Sequence, residues 1–133
     1  MNKKIVVWLT AIGLLLGSNH FCIQKSVVYA QEAKIYFWDD PQLYDGSLYG
    51  EIITVEFVVV NSYNSGKACF LNAHSNWKKY FTVVIFKSDF DKFPPNPEDH
   101  YYMKKIRIKG VLKEYQGKPE IILKNPSQIE TLK

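Results

Sequence analysis

Aromatic rings and ammonium groups alternate along residues 61–90, and together they could bind a chain of stacked bases and phosphates. Tyr63 and Lys67 flank a turn, and Trp77 is followed directly by two lysines. In single-stranded nucleic acid binding, rings stack on bases while cations follow the phosphates. The same pattern is also typical of an ordinary half-buried sheet whose lysines face solvent and discourage edge pairing. The pattern alone leaves both interpretations open.

Groups suited to catalysis or metal binding are sparse after residue 30. His74 and His100 are far apart and have no cysteine or carboxylate at ligand spacing. Asp89 and Asp91 could touch a cation weakly, but capping of a helix start explains them better. A nuclease would need clustered acids for metal and several guanidinium groups, whereas Arg107 is the one arginine. We therefore predict a protein that is not an enzyme and holds neither metal nor cofactor.

The first thirty residues have the order of a secretory signal peptide. Lys3-Lys4 precede an apolar run from Ile5 to Leu16, and a small residue, Ala30, ends the segment. This run is shorter than the ~20 residues that a membrane-spanning helix needs. We predict cleavage after Ala30 and export to the periplasm or medium, with a retained anchor as the alternative. Cys69 then remains as the single cysteine, in the role of a small buried hydrophobe.

Removal of this segment changes the charge of the protein. The formal net charge falls from +4 to +1, which argues against a strongly basic nucleic-acid binder. The distribution is uneven, since residues 31–66 carry a net charge of −5 and residues 67–118 carry +6. A local patch can govern association where the net charge does not. We therefore expect modest affinity for a polyanion.

The remaining chain is long enough for one domain, and its patterns predict an irregular lead-in at 31–48 and a folded domain at 49–133. Strands are predicted at residues 50–60, 67–73, 80–87, 104–115 and 119–123, with a tight turn at Gln116-Gly117. Prolines between the third and fourth strands limit that segment to short helical turns. This order predicts an all-β, five-stranded Greek-key barrel of the OB fold, the oligonucleotide/oligosaccharide-binding fold. A β-sandwich is the alternative.

Several stretches together resemble a bacterial, exported OB-fold nucleic-acid-binding domain that is also found beside nuclease modules. They are Ser65-Gly66-Lys67, Phe70-Leu71-Asn72, residues 80–86, residues 104–110 and residues 117–129, the last being the most specific. The resemblance covers residues 49–132. Phe57 and Met103 depart from it, because such domains often have glycine at these two positions. The resemblance implies nucleic-acid binding.

Ligands of OB folds cross the second and third strands, between the loops that join strands one to two and four to five. On that geometry the candidate binding residues are Tyr63, Lys67, Phe70, Asn72, His74, Trp77, Lys79, Tyr80, Tyr115 and Lys118. We predict that Trp77, Tyr63 and Tyr115 stack on bases. We predict that Lys67, Lys79 and Lys118 contact phosphates. In the alternative interpretation, the rings of Tyr63 and Tyr115 cap the ends of the barrel.

The predicted function is binding of single-stranded DNA or RNA without strong sequence preference. The alternative is an exported adaptor that binds a cell-envelope protein or a glycan through the same face, because exposed rings also stack on sugars.

Overall fold

The computed structural model describes residues 31–133, and the predicted signal peptide at 1–30 lies outside them. Residues 34–133 form a compact unit with its own hydrophobic core. Across residues 31–133, no helix is long and apolar enough to cross a membrane.

The regular secondary structure of residues 31–133 is mainly β-strand. Its strands are β1 (Ile35–Phe37), β2 (Ile52–Val58), β3 (Asn61–Asn64), β4 (Ala68–Asn72), β5 (Thr82–Phe86), β6 (Lys105–Tyr115), β7 (Lys118–Leu123) and β8 (Ile129–Thr131). Short 3-10 turns span Pro41–Leu43, Lys87–Lys92 and Pro126–Gln128, and one four-residue helix, α1, spans Pro97–His100. The hydrogen-bonded order is β1-β2-β6-β7-β5-β4-β3, with β8 paired to the first half of β6. The all-β prediction is confirmed.

The chain between β2 and β3 brings the two ends of this sheet together. The backbone N–H of Val59 donates to the carbonyl of Lys104, on the β6 side, at 3.0 Å. The next residue, Val60, donates to the carbonyl of Asn72 at the end of β4, at 3.1 Å. The strand therefore changes partner within two residues, and β2 and β3 together act as the first strand of an OB-type barrel. The β5–β7 pair is parallel, and the other barrel pairs are antiparallel.

Each of the five predicted segments contains a strand, but residues 31–133 form eight strands. The predicted first strand breaks at Val59-Val60, and β3 extends into the turn predicted at residues 63–66. The lead-in predicted to be irregular contains β1, which pairs parallel to β2 with Ile35 opposite Thr54. A three-residue strand such as β1 or β8 is too short to show the alternation by which strands are recognised.

The barrel interior is packed with branched and aromatic side chains from all the predicted strands. Fully buried examples are Val55, Leu71, Phe81, Val83, Ile85, Ile106, Ile108, Leu112, Ile121 and Leu123. Phe57 belongs to this core and meets Phe81 edge to face, with ring centroids 5.5 Å apart. Cys69 is buried as predicted, and burial raises the pKa of its thiol to about 12, which leaves it unreactive.

Two turns beside β6 contain residues with positive φ angles. Gln116 and Gly117 both have positive φ, 50° and 78°, which matches the tight hairpin turn predicted between β6 and β7. Met103 also has a positive φ, 60°, at a position where the resembling domains often have glycine. Its N–H donates to the carbonyl of Val59 at 2.8 Å. This bond holds the entry to β6 against the point where the barrel closes.

Candidate ligand groove

A groove of about 550 Å³ lies over β3, β4 and β7, between the loop after β4 and the β6–β7 turn. Strand alternation directs Phe70 and Asn72 of β4 to this face, whereas Cys69 and Leu71 point into the core. The groove is lined by Asn61, Ser62, Tyr63, Phe70, Asn72, Trp77, Tyr115, Gln116, Lys118 and Glu120. Six of the ten predicted binding residues are among them.

Aromatic rings form much of the groove surface. Tyr63 and Phe70 are direct cross-strand partners, and their rings stack with centroids 6.4 Å apart and planes at 16°. Trp77, in the loop after β4, is 49% exposed, and Tyr115 at the end of β6 is exposed as well. The Nζ of Lys78 lies 5.6 Å from the centre of the Trp77 ring. These rings can stack on a planar ligand without rearrangement of the core.

The floor of the groove is a continuous hydrogen-bonded chain of polar side chains. The amide of Asn72 donates to Asn61 Oδ1 at 3.0 Å, and the hydroxyl of Thr82 donates to Asn72 Oδ1 at 2.9 Å. The ammonium of Lys118 in turn donates to Thr82 Oγ1 at 2.7 Å. Because each of these side chains already has a hydrogen-bond partner, the network fixes the shape of the groove floor.

Lys118 is only 7% exposed, although the sequence predicts that it contacts phosphate. Its ammonium also donates to the backbone carbonyl of Trp77 at 2.6 Å, so it ties the Trp77 loop to β7. Burial lowers the pKa of Lys118, and the charge of Glu120 opposes that shift. This placement favours a positioning role for Lys118 over direct contact with phosphate.

Glu120 is a groove residue that sequence reasoning missed. The residue is 5% exposed, and its nearest cation is Lys113, whose Nζ lies 3.7 Å from Oε1. Burial raises the pKa of Glu120, while Lys113 and Lys118 act in the opposite direction. The sequence could have indicated Glu120, because it lies two residues after Lys118 on one strand and the two side chains must share a face. Asn61, Ser62 and Gln116 were missed as well.

The raised pKa of Glu120 predicts a pH-dependent stability. The folded protein binds this proton more tightly than the unfolded chain, so the group's contribution is fully present below the ordinary pKa of 4.5 and is lost as pH rises through the folded-state pKa. We expect Glu120→Gln to resist urea better than the wild type at pH 7, and this advantage to disappear near pH 4. Urea denaturation followed by circular dichroism measures the difference.

The matched control for that experiment is Glu114→Gln, which neutralises an exposed carboxylate outside the groove lining. It should show no such advantage at either pH. If Glu120→Gln were more stable than the wild type by the same amount at both pH values, the raised pKa of Glu120 would be contradicted.

The structure places His74 and Tyr80 away from the groove lining. Their rings pack on each other with centroids 4.4 Å apart, and Trp38 lies 5.4 Å from both. Nδ1 of His74 also accepts from the backbone N–H of Asn76 at 2.9 Å. These two rings therefore pack in a cluster with Trp38, outside the groove lining.

The two remaining predicted lysines also lie outside the groove lining. Lys67 is exposed in the β3–β4 turn, where Gly66 has a φ of 80°. The Nζ of Lys79 lies 5.3 Å from the centre of the Tyr80 ring. Two other ammonium groups lie beside the Trp77 ring of the groove, that of Lys78 at 5.6 Å from the ring centre and that of the buried Lys118 at 5.7 Å.

A second groove, of about 630 Å³, runs along β1 and β2 toward His74. Its lining includes Phe37, Val58 and the carboxylate of Glu56. Arg107 donates to that carboxylate twice, at 2.6 and 2.8 Å, and these bonds lower the pKa of Glu56. The charge of Glu56 is thus committed to a contact within the protein.

Comparison with known proteins supports the fold. No family model and no curated protein matches the chain. Among solved structures, a candidate aspartyl-tRNA synthetase of Leishmania major Friedlin is similar, with a TM-score of 0.53 at 11% identity over 82% of this chain and 22% of that one. The aspartyl-tRNA synthetase of Entamoeba histolytica has a TM-score of 0.51 at 16% identity, over 98% of this chain and 28% of that one.

Asparaginyl-tRNA synthetase of Pyrococcus horikoshii, complexed with asparaginyl-adenylate, has a TM-score of 0.50 at 16% identity, over 77% of this chain and 23% of that one. This chain therefore spans less than a third of the length of these three proteins. At such identities the likeness concerns the fold. Together with the strand order, it identifies the domain as OB-like.

Proposed function

We propose that this protein is a non-enzymatic OB-fold module that binds single-stranded nucleic acid in the groove. The observation that carries the proposal is the convergence of Trp77, Tyr115 and the stacked pair Tyr63–Phe70 on one open face. That face is where OB folds bind oligonucleotides, and each stacked base contributes roughly 1–3 kcal/mol. The similar structures belong to enzymes named for tRNA, which supports nucleic acid as the ligand class.

The phosphates would follow the rim of the groove. Inside it, the ammonium of Lys118 is engaged by protein acceptors and Glu120 supplies a negative charge. Lys78 lies at the edge, beside Trp77, in the segment that carries the net positive charge. This division assigns stacking to the interior and charge contacts to the rim, and it favours modest affinity. The proposed location is the periplasm or the medium, as the pattern of residues 1–30 predicts.

Salt dependence tests the proposal. We expect the affinity of the purified protein for a fluorescein-labelled oligonucleotide of about eight nucleotides to fall as salt rises, because bound lysines release counterions. Lys78→Gln should lower the magnitude of the slope of log K against log salt by about one. Fluorescence anisotropy at several salt concentrations measures both.

The control for this titration is Lys109→Gln, which removes an exposed lysine of β6 that is not part of the groove lining and should leave the slope unchanged. A flat salt response, or no binding at low salt, would rule out the proposal.

A glycan is the second candidate ligand, and the balance of charge inside the groove favours considering it. Lys118 and Glu120 offset each other, and the amides of Asn61 and Gln116 line the same surface as the rings. Rings and amides also suit sugars. A neutral glycan would bind with no salt dependence, and its affinity would not change in Lys78→Gln. If the partner is instead a cell-envelope protein, neither the oligonucleotide nor the glycan would bind.

A further inference from the structure

The groove contains a carboxylate, that of Glu120, which is only weakly engaged by the rest of the described protein. Within residues 31–133, the polar side chains Asn61, Asn72 and Lys118 are hydrogen-bonded to one another or to their neighbours. Glu120 differs, because its closest cation, Lys113, lies 3.7 Å away, beyond normal hydrogen-bond length. Its side chain is 6% exposed, and because no sealed side-chain oxygen of residues 31–133 lacks a hydrogen-bond partner, the Glu120 oxygens open to the groove. A buried carboxylate in this state gains most from a ligand that brings donors to it.

The chemistry of a carboxylate restricts which base can satisfy it. An ionised carboxylate only accepts hydrogen bonds, and its two oxygens suit a pair of parallel donors. Burial raises the pKa of Glu120, whereas the charges of Lys113 and Lys118 act in favour of the ionised form. Guanine presents two adjacent donors, N1–H and the 2-amino group, on its Watson–Crick edge. Cytosine and adenine each place an acceptor beside their amino group, and thymine and uracil flank their single N–H with carbonyls.

The walls of the groove also suit a base that stands on edge over Glu120. Trp77, Tyr115 and the Tyr63–Phe70 pair line the same groove as this carboxylate. Bases of single strands are commonly held in this way, stacked on rings and hydrogen-bonded through their Watson–Crick edge.

We propose that Glu120 makes the groove selective for guanine, its two carboxylate oxygens accepting from N1–H and the 2-amino group of one base. This inference rests on the proposed binding of single-stranded nucleic acid, and it adds a base preference that the rings alone would not give. Lys118 assists by fixing the Trp77 loop against the strand that carries Glu120.

The test compares three oligonucleotides with the purified protein. Each is a thymidine heptamer whose central base is guanine, hypoxanthine or thymine, and hypoxanthine differs from guanine by lacking the 2-amino group. We expect the wild type to bind the guanine oligonucleotide about 10-fold more tightly than the thymine one, as for other bidentate contacts to a base, with hypoxanthine in between. Glu120→Gln should abolish the difference, and Glu114→Gln should retain it.

The outcomes separate this inference from the proposed function. Equal affinity of the wild type for all three oligonucleotides, or a guanine preference that survives Glu120→Gln, would overturn the role of Glu120 while leaving nucleic-acid binding intact. Failure of all three to bind at low salt would instead reject the proposed function, and this inference with it. The comparison of guanine with hypoxanthine uses the wild type alone, so it does not depend on the folding of a variant.

Discussion

Replacement of Trp77 with alanine is expected to weaken binding of a single-stranded oligonucleotide by roughly 10- to 100-fold, the loss of one stacked base. Trp77 is 49% exposed and borders the groove, so its ring is available without rearrangement. The carbonyl of residue 77, which accepts from Lys118, is backbone and survives the substitution. The loss should therefore come from the missing ring and not from release of the loop. Fluorescence anisotropy at low salt measures it.

The control for Trp77 is Tyr102→Ala. Tyr102 is 52% exposed, as accessible as Trp77, but it is not part of the groove lining. Its removal should leave affinity unchanged, and Trp77→Phe should retain part of the wild-type affinity because a smaller ring remains. Equal effects of Trp77→Ala and Tyr102→Ala would show that stacking in the groove is not the source of binding.

The second large effect concerns the stability of the barrel. Gly110→Ala is expected to lower the free energy of unfolding by about 1–3 kcal/mol, the usual cost of overpacking. A Cβ atom at residue 110 would lie 2.6 Å from Cγ2 of Ile121 and 3.2 Å from Nε2 of Gln128. Ile121 is fully buried between the strands and has no space into which to withdraw. Urea denaturation of the two proteins provides the measurement.

A double-mutant cycle identifies the cause. Ile121→Leu preserves the volume of the side chain but removes the methyl branch that Gly110→Ala would strike. In that background the cost of Gly110→Ala should fall well below its cost in the wild type, since contacting residues are not additive. The same cost in both backgrounds would mean that the clash with Ile121 does not account for the loss.

The strands of the barrel could be predicted because their local patterns agree with the final fold. β6 alternates buried Ile106 and Ile108 with solvent-facing neighbours, and Gln116-Gly117 has the turn chemistry that a tight hairpin requires. The change of partner at Val59-Val60 could not be predicted, because it depends on pairing with residues far along the chain. The same holds for β1, whose three residues become a strand only by pairing with β2.

The sequence indicates those groove residues whose positions depend only on side-chain alternation and on the ends of loops. Tyr63, Phe70, Trp77 and Tyr115 follow from the faces of strands and the ends of hairpins. His74 and Tyr80 lie outside the groove lining because they pack against Trp38, from a segment whose location no local pattern indicates. Glu120 could not be identified as a phosphate-binding residue from its type, since a carboxylate repels phosphate, although it can accept hydrogen bonds from a base.

The most direct test of the central claim is a two-dimensional amide NMR titration of the uniformly ¹⁵N-labelled protein with a single-stranded octanucleotide. We predict that shift changes concentrate on the groove, at Tyr63, Phe70, Trp77, Tyr115 and Glu120. The second groove, along β1 and β2, should remain unaffected. Changes confined to β1 and β2, or scattered over the surface without saturation, would contradict binding in this groove.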